Sequence, residues 1–527
     1  MAAELDDDVE KTTTQTLVDD LELTTRLDDE KEHAAVPAGL SATRVPNSPY
    51  LVLAFAKTPE HPDDPLCRSK ASKASLTLLA ALLVMISAIT SSCSSGAAPF
   101  IQAALGGNTA LPLSLYLLGY SAGPFVVAPL SEAYGRRPLF IAGLILFTAF
   151  TGGCAAAPSY GALLVLRFCA GFAGAVPMTN GAVCGDIWAP KERGTAMSFY
   201  SVATFSGPAL GPIIASFAAD RISWHWAFII PTIIGGVLCV AVILACPETY
   251  PPVILSRVAR QLRQETGDDR IFSALELAEM ASRAKPRVER AKAEAYRLFA
   301  MPFVLLFTEI IGYPVIFSEM HHLGPGYSSL PFLSTFVGAV IAVPISLLYQ
   351  KRYILAVKEA GKHEPEMRLP PAQIGGILFV CAFLWLGWGG NSARTPWIVP
   401  TLSGILQGIG SVLIFRALQT FLIDAYERYA ASALASQVVV RSITGAVCPL
   451  FTPAMFHRLG PGWACTVLAA VMLILVPVPF VFERYGGTPS SRLDDEPGPG
   501  ATTTGASQGR TESERKEASW WIRFKRN

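Results

Sequence analysis

The chain has 527 residues, of which 51% are hydrophobic and only 16% charged, with a formal net charge of +1; soluble globular proteins carry about 25% charged residues. With a mean hydropathy of +0.40, this excludes a disordered, collagenous or coiled-coil chain for the bulk of the sequence, and the balanced charge gives no basis for nucleic-acid binding. What remains is a polytopic membrane protein whose charges are segregated from its apolar runs.

In chain order, residues 1–74 open on the acidic run Asp6, Asp7 and Asp8, which does not read as a signal peptide and fits a cytoplasmic disordered tail. A helix needs around 20 apolar residues to cross a hydrocarbon core. Twelve runs qualify: 75–97, 111–131, 138–157, 161–184, 198–219, 225–246, 299–318, 328–349, 374–390, 398–423, 430–455 and 463–483. They divide into a group of six over 75–246 and a second over 299–483. A cytoplasmic connection, 247–298, separates them; its apolar spacing predicts one or two amphipathic surface helices. The segment 484–527 is rich in Pro, Gly, Ser and Thr and predicts a disordered tail, closing on an aromatic and basic stretch from Trp520 that suits a lipid headgroup layer.

Lys and Arg are retained on the cytoplasmic side of membrane proteins. Alternate connections hold Arg136 and Arg137; Lys191 and Arg193; ten residues from Arg257 to Arg297; Lys351, Arg352, Lys358, Lys362 and Arg368; and Arg428. The intervening ones hold Arg221, Arg394 and Arg458, so the bias is twenty to three and predicts both termini in the cytosol. The parity requires a crossing at 299–318, although that run has two prolines and Glu309 at its centre.

Enzyme chemistry is not indicated. Gly361-Lys362 lacks the glycines of a phosphate-cradling loop, and the GxSxG string at Gly119–Gly123 falls inside an apolar run rather than at a strand-to-helix turn. Most of the ten cysteines sit in or beside apolar runs without a CxxC pair, which reads as packing. No metal or cofactor is expected.

Polar residues within the spans are the informative ones, since a charge there is costly unless it faces a partner or a cavity. Arg167 lies well inside the fourth span, with Gly171 and Gly174 following; Arg416 and Arg441 fall in the tenth and eleventh, Arg416 near enough to an end to snorkel. Glu132, Gly135, Arg136 and Arg137 form an ion-pair turn after the second span, able to latch helices in one state and release them in another. Gly207, Pro208, Gly211 and Pro212 in the fifth predict a hinge or a close-packing face. Asp186, Glu192 and Arg193 after the fourth span recur as Asp424, Glu427 and Arg428 after the tenth, an internal repeat of the kind found in duplicated transporters.

With these residues in hand, the chain resembles the major facilitator superfamily, in particular its fungal twelve-helix drug–proton antiporter branch. The resemblance covers about Asp63 to Gly487 and rests on APLSEAYGRRP (128–138), RFCAGFAGA (167–175), GDIWAPKERGTAM (185–197) and GPALGP (207–212), supported by CPETYPPVIL (246–255), RLPPAQIGG (368–376) and IDAYERYAASALA (423–435). It implies an all-α major facilitator fold of two six-helix bundles with pseudo-two-fold symmetry. It implies export of drugs or fungal secondary metabolites by proton antiport with alternating access, by a monomer in the plasma membrane or a vacuolar or vesicular one, energised by a proton gradient rather than a cofactor. Arg167 would be tied to proton coupling, with Glu309 a further candidate; Glu132, Gly135, Arg136, Arg137, Asp186, Glu192, Arg193, Asp424 and Arg428 would form the conformational latch; the Gly-Pro steps would favour exchange; and Phe205, Phe332 and Phe415 are candidate cavity aromatics. The chain departs from the branch at Ala215-Ser216, where it usually has a Gly-Gly pair, in lacking a tryptophan near Asp64-Pro65, and in a seventh helix that is shortened. A transport-incompetent relative or sensor, or facilitated uptake of a small nutrient, therefore stands as the alternative.

Overall fold

The computed structural model describes residues 40–44, 50–56, 61–177, 181–281, 312–324, 326–360, 365–392, 394–425 and 430–480. After two short strands, β1 (Leu40–Arg44) and β2 (Leu51–Phe55), the first group of helices comprises α1 (Lys70–Gly96), α2 (Ala98–Leu105), α3 (Leu111–Tyr134), α4 (Arg136–Ala155), α5 (Tyr160–Gly174), α6 (Gly181–Ile187), α7 (Pro190–Arg221) and α8 (Trp226–Ala245). The connection carries α9 (Pro251–Thr266), β3 (Ile271–Ser273) and α10 (Ala274–Ala281), and the second group α11 (Phe332–Ala360), α12 (Pro370–Gly389), α13 (Ile398–Ala425) and α14 (Ala430–Leu475).

Among the described residues nine helices are long and apolar enough to cross a membrane, and α5 is a shorter apolar one. The last of the nine holds two expected spans, because α14 bends at Gly460, whose φ of 74° is not helical. Of the twelve runs, 299–318 is described only from Gly312, where a helical turn passes into a π-helix at Val315–Met320. Its earlier part, with Glu309 and the expected shortening, lies outside the described residues. The fourth run is not one rod. It breaks after Gly174, just ahead of Pro177, which has no amide proton to give to a helical ladder. Large apolar side chains such as Val237 and Leu244 of α8 and Phe125 of α3 point outward, as a lipid-facing surface requires.

The expected structureless tail at 1–74 is corrected from Leu40 onward, where strands are described. β1 pairs antiparallel with β2, Leu40 opposite Phe55, and β2 pairs in parallel with β3 of the connection, Leu51 opposite Ile271. Leu53 of β2 is buried, with Leu51 and Phe55 partly buried beside it, against Ile254, Val258 and Leu262, which recur every four residues on one face of α9. Arg257 and Arg260 occupy the exposed face of α9, so the amphipathic helix has a protein surface to cover. α9 ends where Gly267, at φ 69°, donates its N–H to Arg263 O, a left-handed cap. Ser273 and Glu276 then start α10 with a reciprocal cap: Glu276 N–H donates to Ser273 Oγ and Ser273 N–H to Glu276 Oε2, each at 3.2 Å.

Glu276 is also the ionic centre of this small unit. Arg263 reaches its two carboxylate oxygens at 2.9 and 3.2 Å, and Arg260 adds a bond at 3.2 Å. Burial alone would raise the carboxyl, but the bonds from Arg263, Ser273 and Arg260 outweigh it and hold it below the ordinary glutamate value. A depressed folded value means stability that is present above the unfolded value, roughly pH 4.3, and is lost as pH falls through the folded one. Amide exchange across 271–281 is expected to accelerate as pH drops below that value, after correction for the intrinsic rate, and Glu276→Gln to show the faster exchange already at pH 7. A pH-independent protection factor would contradict the assignment.

Candidate functional site

The basic turn between α3 and α4 is built on Gly135, whose φ of 93° is closed to most side chains. The turn points the first amides of α4 at Glu248, which follows α8: Arg136 N–H donates to Oε1 at 2.9 Å and Arg137 N–H to Oε2 at 3.2 Å. A carboxylate at a helix N-terminus satisfies orphan donors and opposes the helix dipole. A methyl at Gly135 would lie 2.5 Å from Glu248 Oε2, so the glycine is needed for space as well as for conformation. The Arg136 side chain is buried; it bonds Asp186 Oδ2 at 3.2 Å and Ser131 Oγ at 3.0 Å, and its guanidinium lies 4.8 Å from the Tyr250 ring. Arg137 turns away and donates to Ile243 O.

A second cluster repeats this geometry in the other half and joins the two. Arg368, two residues before the start of α12 as Arg136 is two before Pro138, bonds Asp424 Oδ2 at 2.9 Å at the end of α13. Its guanidinium stacks 3.6 Å from the Tyr353 ring centroid and donates to Gln350 Oε1 at 3.0 Å. From the first half, Arg193 in the opening turn of α7 bonds Asp424 Oδ1 at 2.7 Å and Gly185 O at 3.2 Å. Two further bonds cross between the halves: Gln350 Nε2 to Lys191 O at 2.9 Å, and Arg416 Nε to Gly194 O at 3.2 Å. Arg416 also donates to Gln350 Oε1 at 2.8 Å. Asp424 and Arg368 are each only 2% exposed at the side chain, so this end of the molecule is closed by desolvated charge.

In α7 the Gly-Pro steps serve packing. The helix runs unbroken through Pro208 and Pro212 and lies along α1: a methyl at Gly207 would sit 2.9 Å from Met85 O, one at Gly211 2.6 Å from Ile89 O, and one at Gly96 of α1 2.8 Å from Pro212 Cα. Of the two sequence alternatives, a close-packing face is therefore the one seen. Small residues fix α3 to α5 likewise, with Gly119 against Phe168 and Gly171 against Tyr116.

Arg167 is fully buried. Its Nε donates to Pro112 O at 3.0 Å, Nη1 to Thr90 O and Nη2 to Ser91 O at 2.8 Å each, and Nη2 also to Ser94 Oγ at 3.1 Å. The Tyr116 ring lies 4.4 Å from the guanidinium carbon. It thus ties α1, α3 and α5 through carbonyl oxygens.

The structure brings Gly135, Arg136 and Asp186 into one cluster and Arg193 and Asp424 into the other. Glu192 is not in either; it is half-exposed at the surface, 3.9 Å from Lys70. Arg416 does not snorkel but bridges the halves. Phe205 and Phe415 meet at 5.2 Å across the interface, whereas Phe332 packs on Tyr313 at 4.5 Å, apart from them. Arg428 and the side chain of Glu132 lie outside the described residues. Sequence reasoning missed Glu248, Arg368 as a counter-ion, and Gln350. The first two carried a signal in PETYPP and RLPP, motif-like wording beside spans; a lone glutamine in an amphipathic helix end carries none.

Comparison with known proteins agrees with this architecture. The family model described as Major Facilitator Superfamily matches residues 80–446. The chain is 37% identical over 451 residues to the major facilitator superfamily multidrug transporter mdrA of Aspergillus fumigatus, spanning 82% of this chain and 74% of the other. It is 37% identical over 467 residues to the MFS-type efflux pump MFS2 of Trichophyton rubrum, spanning 83% and 76%. The solved structure of the proton:xylose symporter XylE superposes with a TM-score of 0.59 at 15% identity, covering 80% of this chain and 97% of that one, a likeness of fold alone.

Replacing Glu248 by Ala exposes what the turn depends on. Two amides at the start of α4 lose their acceptor, at about 1–3 kcal/mol for a buried unsatisfied donor. The expected outcome is a lower unfolding temperature of the purified protein and easier protease cleavage near Gly135; Glu248→Gln, which keeps the side-chain shape and one acceptor oxygen, recovers part of the loss.

Proposed function

The chain belongs to the Major Facilitator Superfamily, and from that premise we propose that it exports small toxic or hydrophobic compounds in exchange for protons by alternating access. As an integral membrane protein of this family it is a transporter rather than an enzyme, with the bilayer and a small-molecule substrate as its partners. Export is suggested by relatives that bear the names multidrug transporter and efflux pump. The single observation that carries the mechanism is the Arg193–Asp424–Arg368 cluster, since a rocking transporter needs a seal between its halves that can be made and unmade.

The cluster suits that task energetically. Breaking a buried ion pair is costly when it leaves a bare charge. Here, separating the halves parts Asp424 from Arg193, yet Asp424 keeps Arg368 of its own half and Arg193 keeps the Gly185 carbonyl. Neither charge is stripped when the end opens, so the latch is strong without being permanent. The positive-inside bias supports a cytosolic placement of this end; in this reading the structure is the form closed to the cytosol, both termini lie on that side, and a single chain is the transport unit. In this reading Arg136 and Asp186 hold the first half rigid while it moves. Arg167 would report protonation to α1 and α3 through the carbonyls it holds.

Reconstituted full-length protein should move the neutral dye Nile red down an imposed pH gradient, and a protonophore should abolish the movement. Asp424→Asn leaves two buried arginines facing an uncharged amide. It should lower transport roughly tenfold or more, a loss of about 1.4 kcal/mol or greater, and increase thiol labelling of a cysteine placed at Lys191. Transport indifferent to the protonophore would remove proton antiport; unchanged labelling and rate in Asp424→Asn would remove the latch.

A further inference from the structure

Away from the ionic clusters, the interface between the halves holds side chains that nothing above uses. Phe205 of α7 and Phe415 of α13 meet edge to face, and the Arg441 guanidinium of α14 lies 5.7 Å from the Phe415 ring. Tyr120 of α3 and Tyr200 of α7 are within electrostatic reach of the same guanidinium, so Arg441 faces the first half rather than lipid. One helical turn before it, Gln437 is 2% exposed, and neither its amide nitrogen nor its carbonyl oxygen has a hydrogen-bond partner. Residues four apart on a helix share a face, so Gln437 and Arg441 are neighbours. On α13 the same interval places Ser411 and Gln419 on either side of Phe415, and Ser411 Oγ and Gln419 Oε1 are buried and unpartnered too.

Buried polar atoms are almost always satisfied, and an unsatisfied one is a standing penalty. Four such atoms on the two helices that carry Phe415 and Arg441 are explained if a bound molecule completes their bonds. The groups also specify its chemistry. A pair of phenyl rings accepts a flat apolar body, the guanidinium and the Gln437 amide N–H accept an oxyanion, and a cation brought next to Arg441 in a low-dielectric interior is repelled. A guanidinium has five donors, so the reading stands whatever else Arg441 touches.

We propose that Phe205, Phe415, Gln437 and Arg441 form the substrate-recognition patch and that it takes small aromatic organic acids, the ring packing on the two phenylalanines and the carboxylate on Gln437 and Arg441. The proposal rests on the transporter reading and narrows its substrate class from hydrophobic compounds in general to aromatic anions.

The test uses purified full-length protein with 2-naphthoate and with 2-naphthylmethylammonium, the same ring system bearing opposite charge. Binding is read from the shift in thermal unfolding, and competition from inhibition of Nile red export in proteoliposomes. Half-saturation by naphthoate is expected roughly tenfold or more below that by the ammonium compound, a discrimination typical of a charge-assisted hydrogen bond. Gln437→Leu should raise the naphthoate value about tenfold by the same reasoning, Arg441→Lys should retain the preference for naphthoate, and Gln437→Glu should shift it toward the ammonium compound. Equal or tighter binding of the ammonium compound by the unmutated protein, or unaltered naphthoate affinity in Gln437→Leu, overturns the proposal; the Gln437 variants decide it even if an Arg441 variant does not fold. Nile red export without a naphthoate preference fells this site alone, whereas selective naphthoate binding without any export fells the transporter reading and leaves the site.

Discussion

The carboxylate of Asp424 is held between two guanidiniums that reach it from opposite halves of the molecule, at 2.7 Å from Arg193 and 2.9 Å from Arg368. Much of the architecture at this end follows from satisfying that buried charge. Arg368 is positioned by the Tyr353 ring and Gln350, Gln350 is positioned by Arg416, and Gln350 and Arg416 each donate to a backbone carbonyl near the start of α7, Lys191 O and Gly194 O. Gly194 is a glycine because Gln350 lies against the place its side chain would take. Removing the charge would leave a nest of cations with no reason to converge.

The same arrangement, Asp186 with Arg136, occupies the equivalent place in the first half, but there the ion pair closes within one bundle and is reinforced by Glu248 from the end of α8. The two clusters divide the work that a two-bundle machine requires. One fixes the internal geometry of a half, and the other is shared between halves and can be exchanged. Along α1 and α7 rigidity comes from a different source, glycines that let backbones approach until no methyl could be inserted. In a bilayer, where lipid is as apolar as leucine, such close contact replaces the hydrophobic force that holds soluble bundles together.

The strand pairing of β1 and β2 with β3 extends this logic outside the spans. It joins the end of the N-terminal arm to the connection between the bundles, over the apolar face of α9. Arg68 donates to Glu248 O at 3.5 Å and Lys73 to Leu66 O at 2.7 Å, so the arm, the start of α1 and the α3–α4 turn are one connected body at the basic end.

Hydropathy and charge asymmetry are local properties of a chain, and they determined what is local here: most of the spans, an amphipathic helix within the connection between the two groups, and the turn at Gly135. Repetition in the sequence marked Asp186 and Asp424 as equivalent before any geometry was known. The partners of those acids are another matter. Arg193 and Asp424 are 231 residues apart, and Glu248 and Arg136 are 112 apart; no periodicity connects them, because a charge–charge contact depends on how helices pack and not on the spacing along any one of them. For the same reason the sequence left the Gly-Pro steps of α7 as either hinge or packing face, treated Arg416 as a snorkelling side chain, and read residues 40–55 as part of a structureless tail. Only the tertiary fold, by bringing α1 against α7, α11 against α7 and β3 against β2, decided each of them.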